Sequence, residues 1–153
     1  MTLDPSGPRC ACGRKGCWEA LVSGTALGRD AAELAAADPA GPVFRATAGA
    51  VPRGEHLSAA AGLGDPEARG RLEAAGTWLG RGLANLVAAF DPNVIVIGGA
   101  AAGAGEALLG PARSTLADCV EGRGCRAPTP VLSARFGPGA GLVGAALAAG
   151  EVT

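Results

Sequence analysis

Apolar residues recur at helical spacing through the middle of the chain. Leu72, Ala75, Leu79, Leu83, Leu86 and Val87 fall on one face of a helix that runs to Phe90. Asp65-Pro66-Glu67 supplies its start, with Asp as the cap, Pro at the first helical position and Glu in the first turn. Gly76, Gly80 and Gly82 interrupt the stripe, each less favourable than alanine by about 1 kcal/mol. Their presence predicts that another backbone packs closely there. Upstream, Trp18-Glu19-Ala20-Leu21-Val22 begins a helix that continues, with a break at Ser23-Gly24, through Leu27 to Ala37. Asp38-Pro39 closes it, because proline cannot continue a helix and restrains the residue before it. Residues 40–56 are rich in Gly and Pro without a period, and read as a loop. A short helix over Leu57 to Leu63 ends at Gly64.

Beyond the turn Asp91-Pro92-Asn93, the run Val94-Ile95-Val96-Ile97 is short, apolar and β-branched, the pattern of a strand buried on both faces. Gly98-Gly99-Ala100 ends it, and a helix follows from about Gly105 to Cys119. A second strand is predicted over Val131 to Ala134 and a last helix over Gly141 to Ala149. Strand, Gly turn, helix, strand and helix in this order give an α/β fold with a mainly parallel sheet.

Composition narrows the function classes. The chain has 153 residues, 48% hydrophobic and 3% aromatic, enough for one core built of Ala, Val and Leu. A formal net charge of −1 without a basic run argues against a nucleic-acid surface. The longest apolar stretch, Val94 to Gly105, is too short for a bilayer, which takes about 20 residues. Residues 1–8 have neither a charged nor an apolar signal region. A cytoplasmic protein without membrane or nucleic-acid partners is expected.

Three of the five cysteines, Cys10, Cys12 and Cys17, lie together with Gly13 and Gly16 between them. Thiolates on such a tight loop can converge on one ion at about 2.3 Å, and zinc favours them. Three unligated thiols in a surface loop are the alternative, though exposed clustered thiols oxidise readily. A structural zinc takes four ligands, and the loop offers three. The single histidine, His56, falls in a different segment and reads as solvated. Trp78 reads as core, and Cys119 as a small buried hydrophobe.

Cys10-Ala-Cys12-Gly13-Arg14-Lys15-Gly16-Cys17-Trp18-Glu19 resembles the CxCGxxGCxE motif of the ROK family (repressor, open reading frame, kinase) of bacterial sugar kinases and sugar-responsive repressors. Residues 89–100 resemble the family's strand and Gly-rich turn, and Ala140-Gly141-Leu142-Val143-Gly144-Ala145-Ala146 its closing helix. Among members, the pattern is most similar to the actinobacterial glucokinases. The resemblance implies the C-terminal portion of an actin-like, ribonuclease-H-like kinase with a Cys-rich zinc loop. Residues 1–20 would be the zinc loop and sugar-binding motif, and residues 65–149 a nucleotide-side subdomain.

By this resemblance the zinc ligands are Cys10, Cys12 and Cys17, with a histidine at the position immediately before Met1. Glu19 would bind hydroxyls of glucose or a related hexose, and Gly98, Gly99 and Ala100 would approach ATP, which acts with magnesium. The enzyme would be a homo-oligomer that transfers the γ-phosphate of ATP to the 6-hydroxyl of glucose. None of Asp4, Asp30, Asp38, Asp65, Asp91 or Asp118 lies in the family's catalytic-base motif. The N-terminal half, with its phosphate loop and base, is therefore expected upstream, and this chain alone is expected to be inactive. The sugar-sensing half of a ROK repressor and a non-catalytic zinc-binding fragment are the competing readings.

Overall fold

The computed structural model describes residues 1–122, 124–125 and 127–150, and of Ala100, Ala101 and Pro138 the backbone alone. After a loop over residues 1–17 come α1 (Trp18–Val22), α2 (Gly24–Ala37), α3 (Pro42–Thr47), α4 (Gly54–Gly62) and the long α5 (Pro66–Phe90). Strand β1 (Ile95–Ile97) leads through a 3-10 turn (Ala100–Ala104) to α6 (Glu106–Cys119), then β2 (Val131–Ser133), a second 3-10 turn (Gly137–Gly139) and α7 (Ala140–Gly150).

Local chemistry sets the boundaries. The break at Ser23-Gly24 divides α1 from α2, and the Ser23 hydroxyl accepts the Ala26 N–H at 3.2 Å to cap the second helix. At the start of α5, Asp65 accepts the Ala68 N–H at 2.7 Å, with Pro66 behind it at the first helical position. Residues 40–56 are not the single loop their composition suggests. Gly41 stands at the N-cap of α3, Pro42 opens the helix, and Ala48 in the left-handed region ends it. Six residues are too few to display a period, which is why α3 escapes a pattern search.

The core lies where α2, α4, α5 and α6 meet. Leu27, Leu57, Leu72, Leu83, Leu108 and Leu109 are fully buried there. Burial of each such side chain is worth about 1.5–3 kcal/mol. The tightest pairing is α5 against α6, and glycine makes it possible. A Cβ at Gly76 would overlap the Leu108 carbonyl oxygen, and one at Gly80 the Ala112 carbonyl oxygen and the Thr115 side chain. The close backbone approach expected along this stripe is found at Gly76 and Gly80, whereas at Gly82 the neighbour is the Trp18 ring, a side chain.

β1 and β2 pair in parallel, Ile95 opposite Val131, Val96 opposite Leu132 and Ile97 opposite Ser133. With α6 between them they form a β-α-β unit. Val131, Ile95 and Ile97 pack on the core. The other face is open: Val96 is 58% and Leu132 50% exposed. This corrects the expectation of a strand buried on both faces. An apolar run reports what a complete sheet needs, and here helices cover one side only. Two further corrections concern single residues. Trp78 is half-buried under the Arg81 guanidinium, 4.6 Å from its ring centroid, and is not core. Cys119, at the end of α6, is exposed.

Two glycines of α5 separate packing from helix propensity. Gly80→Ala is expected to destabilise the chain by about 1–3 kcal/mol through overpacking. Gly70→Ala, whose Cβ meets open space, is expected to stabilise it by up to about 1 kcal/mol. Urea unfolding followed by circular dichroism measures both, and opposite signs are the expected outcome.

Candidate metal centre and adjoining carboxylate

Residues 1–17 form a loop held almost entirely by its own backbone. Leu3 N–H donates to Gly16 O and Gly16 N–H to Pro8 O, both at 2.9 Å. A narrower turn sits inside, where Cys10 N–H donates to Arg14 O at 2.8 Å and Gly13 N–H to Cys10 O at 2.9 Å. Isolated antiparallel bridges join Thr2 to Cys17 and Arg9 to Lys15. Gly16 is required twice over: its φ is +62°, and a Cβ there would run into the Asp4 carbonyl.

This framework brings the three sequence-predicted thiols together. The sulfurs of Cys10, Cys12 and Cys17 lie within 4.8 Å of one another. Cys12 is exposed, Cys10 half-buried and Cys17 buried. The Cys12 and Cys17 sulfurs are 3.4 Å apart and hydrogen-bonded. The Arg14 side chain, hydrogen-bonded to Cys12, lowers that thiol to a pKa of about 6; the Arg14 N–H and the Cys17 and Cys10 thiols add to the effect. Cys17 moves the other way, raised first by its bond to Cys12 and then by burial. At neutral pH the arrangement is a Cys12 thiolate accepting a hydrogen bond from the Cys17 thiol. A soft divalent ion such as zinc suits this set: one thiolate is already formed, and binding displaces the remaining protons. Three sulfurs leave one coordination position for another donor.

Glu19 follows Cys17 by two residues, in the first turn of α1. It is exposed, and its carboxylate makes no hydrogen bond or ion pair among the described residues. Trp18, between Cys17 and Glu19, fixes both to the core. Its ring lies against Gly82 of α5, where any Cβ would overlap it, and its Nε1–H donates to the Trp78 carbonyl at 3.0 Å.

Gly98 and Gly99 are exposed at the end of β1. Gly99 has φ +74° and ψ −164°, and a Cβ there would meet no atom of the described residues within 4 Å beyond its chain neighbours. The turn thus offers backbone with open space above it. It runs into a 3-10 turn, closed by Ala102 N–H to Gly99 O at 3.2 Å, rather than directly into α6. The side chain of Ala100 lies outside the described residues. No backbone hydrogen bond joins this turn to the loop of residues 1–17 among the described residues.

His56 is not simply solvated. Its Nδ1 accepts the Arg53 N–H at 3.0 Å at the start of α4, and its side chain is 14% exposed. Two features lie outside the sequence-predicted set. Arg14 has a visible signal, a cation beside a thiol. The cavity of about 470 Å³ that includes Arg69, Glu73, Ala104 and Glu106 has none, because its lining comes from several elements.

The model of the ROK family matches residues 1–151. The chain belongs to the ROK family. It is 38% identical over 150 residues to a glucokinase of Streptomyces coelicolor, covering 95% of this chain and 47% of that protein. Among solved structures it resembles a ROK family glucokinase from Streptomyces griseus in complex with glucose and AMPPNP. The identity there is 39% and the TM-score 0.81, over 95% of this chain and 48% of that one. A ROK family transcriptional regulator, a homologue of the E. coli MLC protein, matches at 27% identity and TM-score 0.75, over 96% of this chain and 37% of that one. The chain therefore spans less than half the length of these relatives. The chain has the α/β fold typical of this group and carries a small cysteine cluster able to chelate a metal.

In the metal-free chain, Cys12 is expected to react first with iodoacetamide, with a rate midpoint near pH 6. Arg14→Ala is expected to move that midpoint up towards the ordinary thiol range. The lowered thiol also stabilises the fold above its ordinary pKa, and that contribution is lost as pH falls through about 6. Mass-resolved alkylation across pH measures the first two effects.

Proposed function

We propose that this chain is the C-terminal portion of a ROK-type hexokinase. The observation that carries the reading is the continuity of one short segment: three convergent sulfurs, an anchoring Trp18, and Glu19 in the turn that follows. In this reading Cys10, Cys12 and Cys17 hold a structural zinc and set the position of α1. Glu19 then accepts hydrogen bonds from hydroxyls of glucose or a related hexose. A carboxylate suits that task because its two oxygens can each accept a hydroxyl proton.

The Gly98-Gly99 turn, continuing at Ala100, is assigned to the nucleotide. Its support is that a Cβ at Gly99 would meet no atom of the described residues within 4 Å beyond its chain neighbours, and that the positive φ there disfavours a side chain. Residues 1–20 act as the sugar-side segment and residues 65–149 as the nucleotide-side subdomain of an actin-like, ribonuclease-H-like fold. Magnesium and ATP are the co-substrates, and phosphate passes to the 6-hydroxyl of the sugar. Phosphoryl transfer also needs a phosphate cradle and a group that orients the hydroxyl. Asp30, half-buried, is engaged with Arg29 and Arg71 instead. The chain by itself is accordingly assigned no turnover, and the active homo-oligomer is assigned to the longer protein.

The likeness to a ROK transcriptional regulator supports a second reading, the sugar-sensing half of a repressor. The reading frame upstream of codon 1 separates the two. A phosphate loop and an aspartate base encoded there, with ATP-dependent glucose phosphorylation by the longer product and none by this chain, is the expected outcome. A helix-turn-helix segment without a phosphate loop would assign the repressor. A longer product with both kinase elements and no hexose phosphorylation would overturn the kinase reading.

Two further outcomes are expected. The purified chain should carry zinc, measured by plasma emission, and Cys10→Ser should lose most of it. In the longer product, Glu19→Gln should weaken glucose binding by about 10- to 100-fold, because hydrogen bonds to a charged group are the stronger kind. Calorimetric titration provides the measurement.

A further inference from the structure

The cysteine cluster has an asymmetry that metal binding alone does not use. Cys12 and Cys17 are in sulfur–sulfur contact at 3.4 Å, five residues apart in the chain. Cys12 is exposed and Cys17 buried, only 5% accessible. The loop between them is pinned by the Cys10–Arg14 and Gly16–Pro8 hydrogen bonds, so the two sulfurs are held together without a metal. An accessible thiol with a sheltered one in contact behind it is the arrangement in which oxidation ends in a disulfide. A bond length of about 2.05 Å requires the sulfurs to close by little more than an ångström.

We propose that Cys12 and Cys17 form a reversible dithiol–disulfide pair, so that the metal centre is also a peroxide-sensitive modification site. A hydroperoxide delivers its terminal oxygen to the Cys12 sulfur, giving a sulfenic acid and releasing the alcohol, or water from hydrogen peroxide. The Cys17 sulfur then attacks the Cys12 sulfur. The new S–S bond forms as the S–O bond breaks, and the hydroxyl leaves as water with the Cys17 proton. Two thiols supply two electrons and two protons, and one peroxide is consumed. A small dithiol reverses the step by exchange. Closure would remove two of the three sulfur ligands, leaving Cys10 alone, so that a bound metal would be released. The disulfide limb rests on the thiol geometry, whereas the metal-release limb rests on the zinc reading above.

The test uses the full chain, reduced and metal-free, treated with equimolar hydrogen peroxide. The expected result is a mass loss of about 2 Da, loss of two of the five thiols, a Cys12–Cys17 cross-link on peptide mapping, and recovery with dithiothreitol. A double variant, Cys119→Ser with Cys125→Ser, should behave identically. Cys17→Ser should stop at a Cys12 sulfenic acid that dimedone traps. Oxygen addition at Cys12 without a cross-link, or cross-links made only through Cys119 or Cys125, would overturn the pair. Zinc-loaded chain, followed with a colorimetric chelator, should release its metal as the cross-link forms. Zinc bound without any cross-link rejects the redox pair and leaves the metal reading standing. A cross-link in a chain that never binds zinc does the reverse.

Discussion

The seat of the Trp18 ring on Gly82 joins the chemistry of the first residues to the rest of the molecule. It exists only because residue 82 has no Cβ, and the Trp18 Nε1–H bond to the Trp78 carbonyl fixes the ring's rotation. Cys17 on one side and Glu19 on the other inherit their positions from it. Without this contact the loop of residues 1–17 would still close on its own hydrogen bonds, but it would not be aligned with α5. The local network makes the cluster of sulfurs, and the tryptophan gives it an address in the fold.

The same device, a missing Cβ, operates along the remainder of α5. Gly76 and Gly80 let α6 approach until its carbonyl oxygens occupy the space of a methyl group. That closeness compensates for a core poor in large rings, since dispersion contacts gain from proximity what they lack in size. Beyond α6 the packing stops on one side. The Val96–Leu132 face of the sheet is open, and α7, made only of Ala, Gly, Leu and Val, has no buried residue among those described. A helix without a polar face is stable in an interior rather than on a surface. In a chain less than half as long as its relatives, these surfaces are where the remaining fold of the proposed kinase would rest.

What could be read from sequence followed the range of the interactions. Ligand spacing is local, so Cys10, Cys12 and Cys17 could be grouped from their order alone. The break at Ser23-Gly24, the cap at Asp65 and the helical face of Leu72, Leu79 and Leu83 are local as well. The glycines of α5 announced a close neighbour without saying which. The partners proved to be Leu108, Ala112 and the Trp18 ring, one of them some sixty positions away. Exposure was misjudged wherever it depended on what covers an element. Val96 looked buried because its neighbours in sequence are apolar, and Cys119 because cysteine usually is. α3 was missed because one cap, one proline and six residues do not make a pattern.

The backbone at the first residue has a practical corollary. Met1 O accepts the Trp18 N–H at 2.9 Å, and Thr2 bridges antiparallel to Cys17. Continuing that register, anything fused ahead of Met1 is led past Trp18 towards Glu19. An affinity tag placed there would crowd that exposed carboxylate. Measurements of sugar binding therefore call for the tag at the other end, beyond α7.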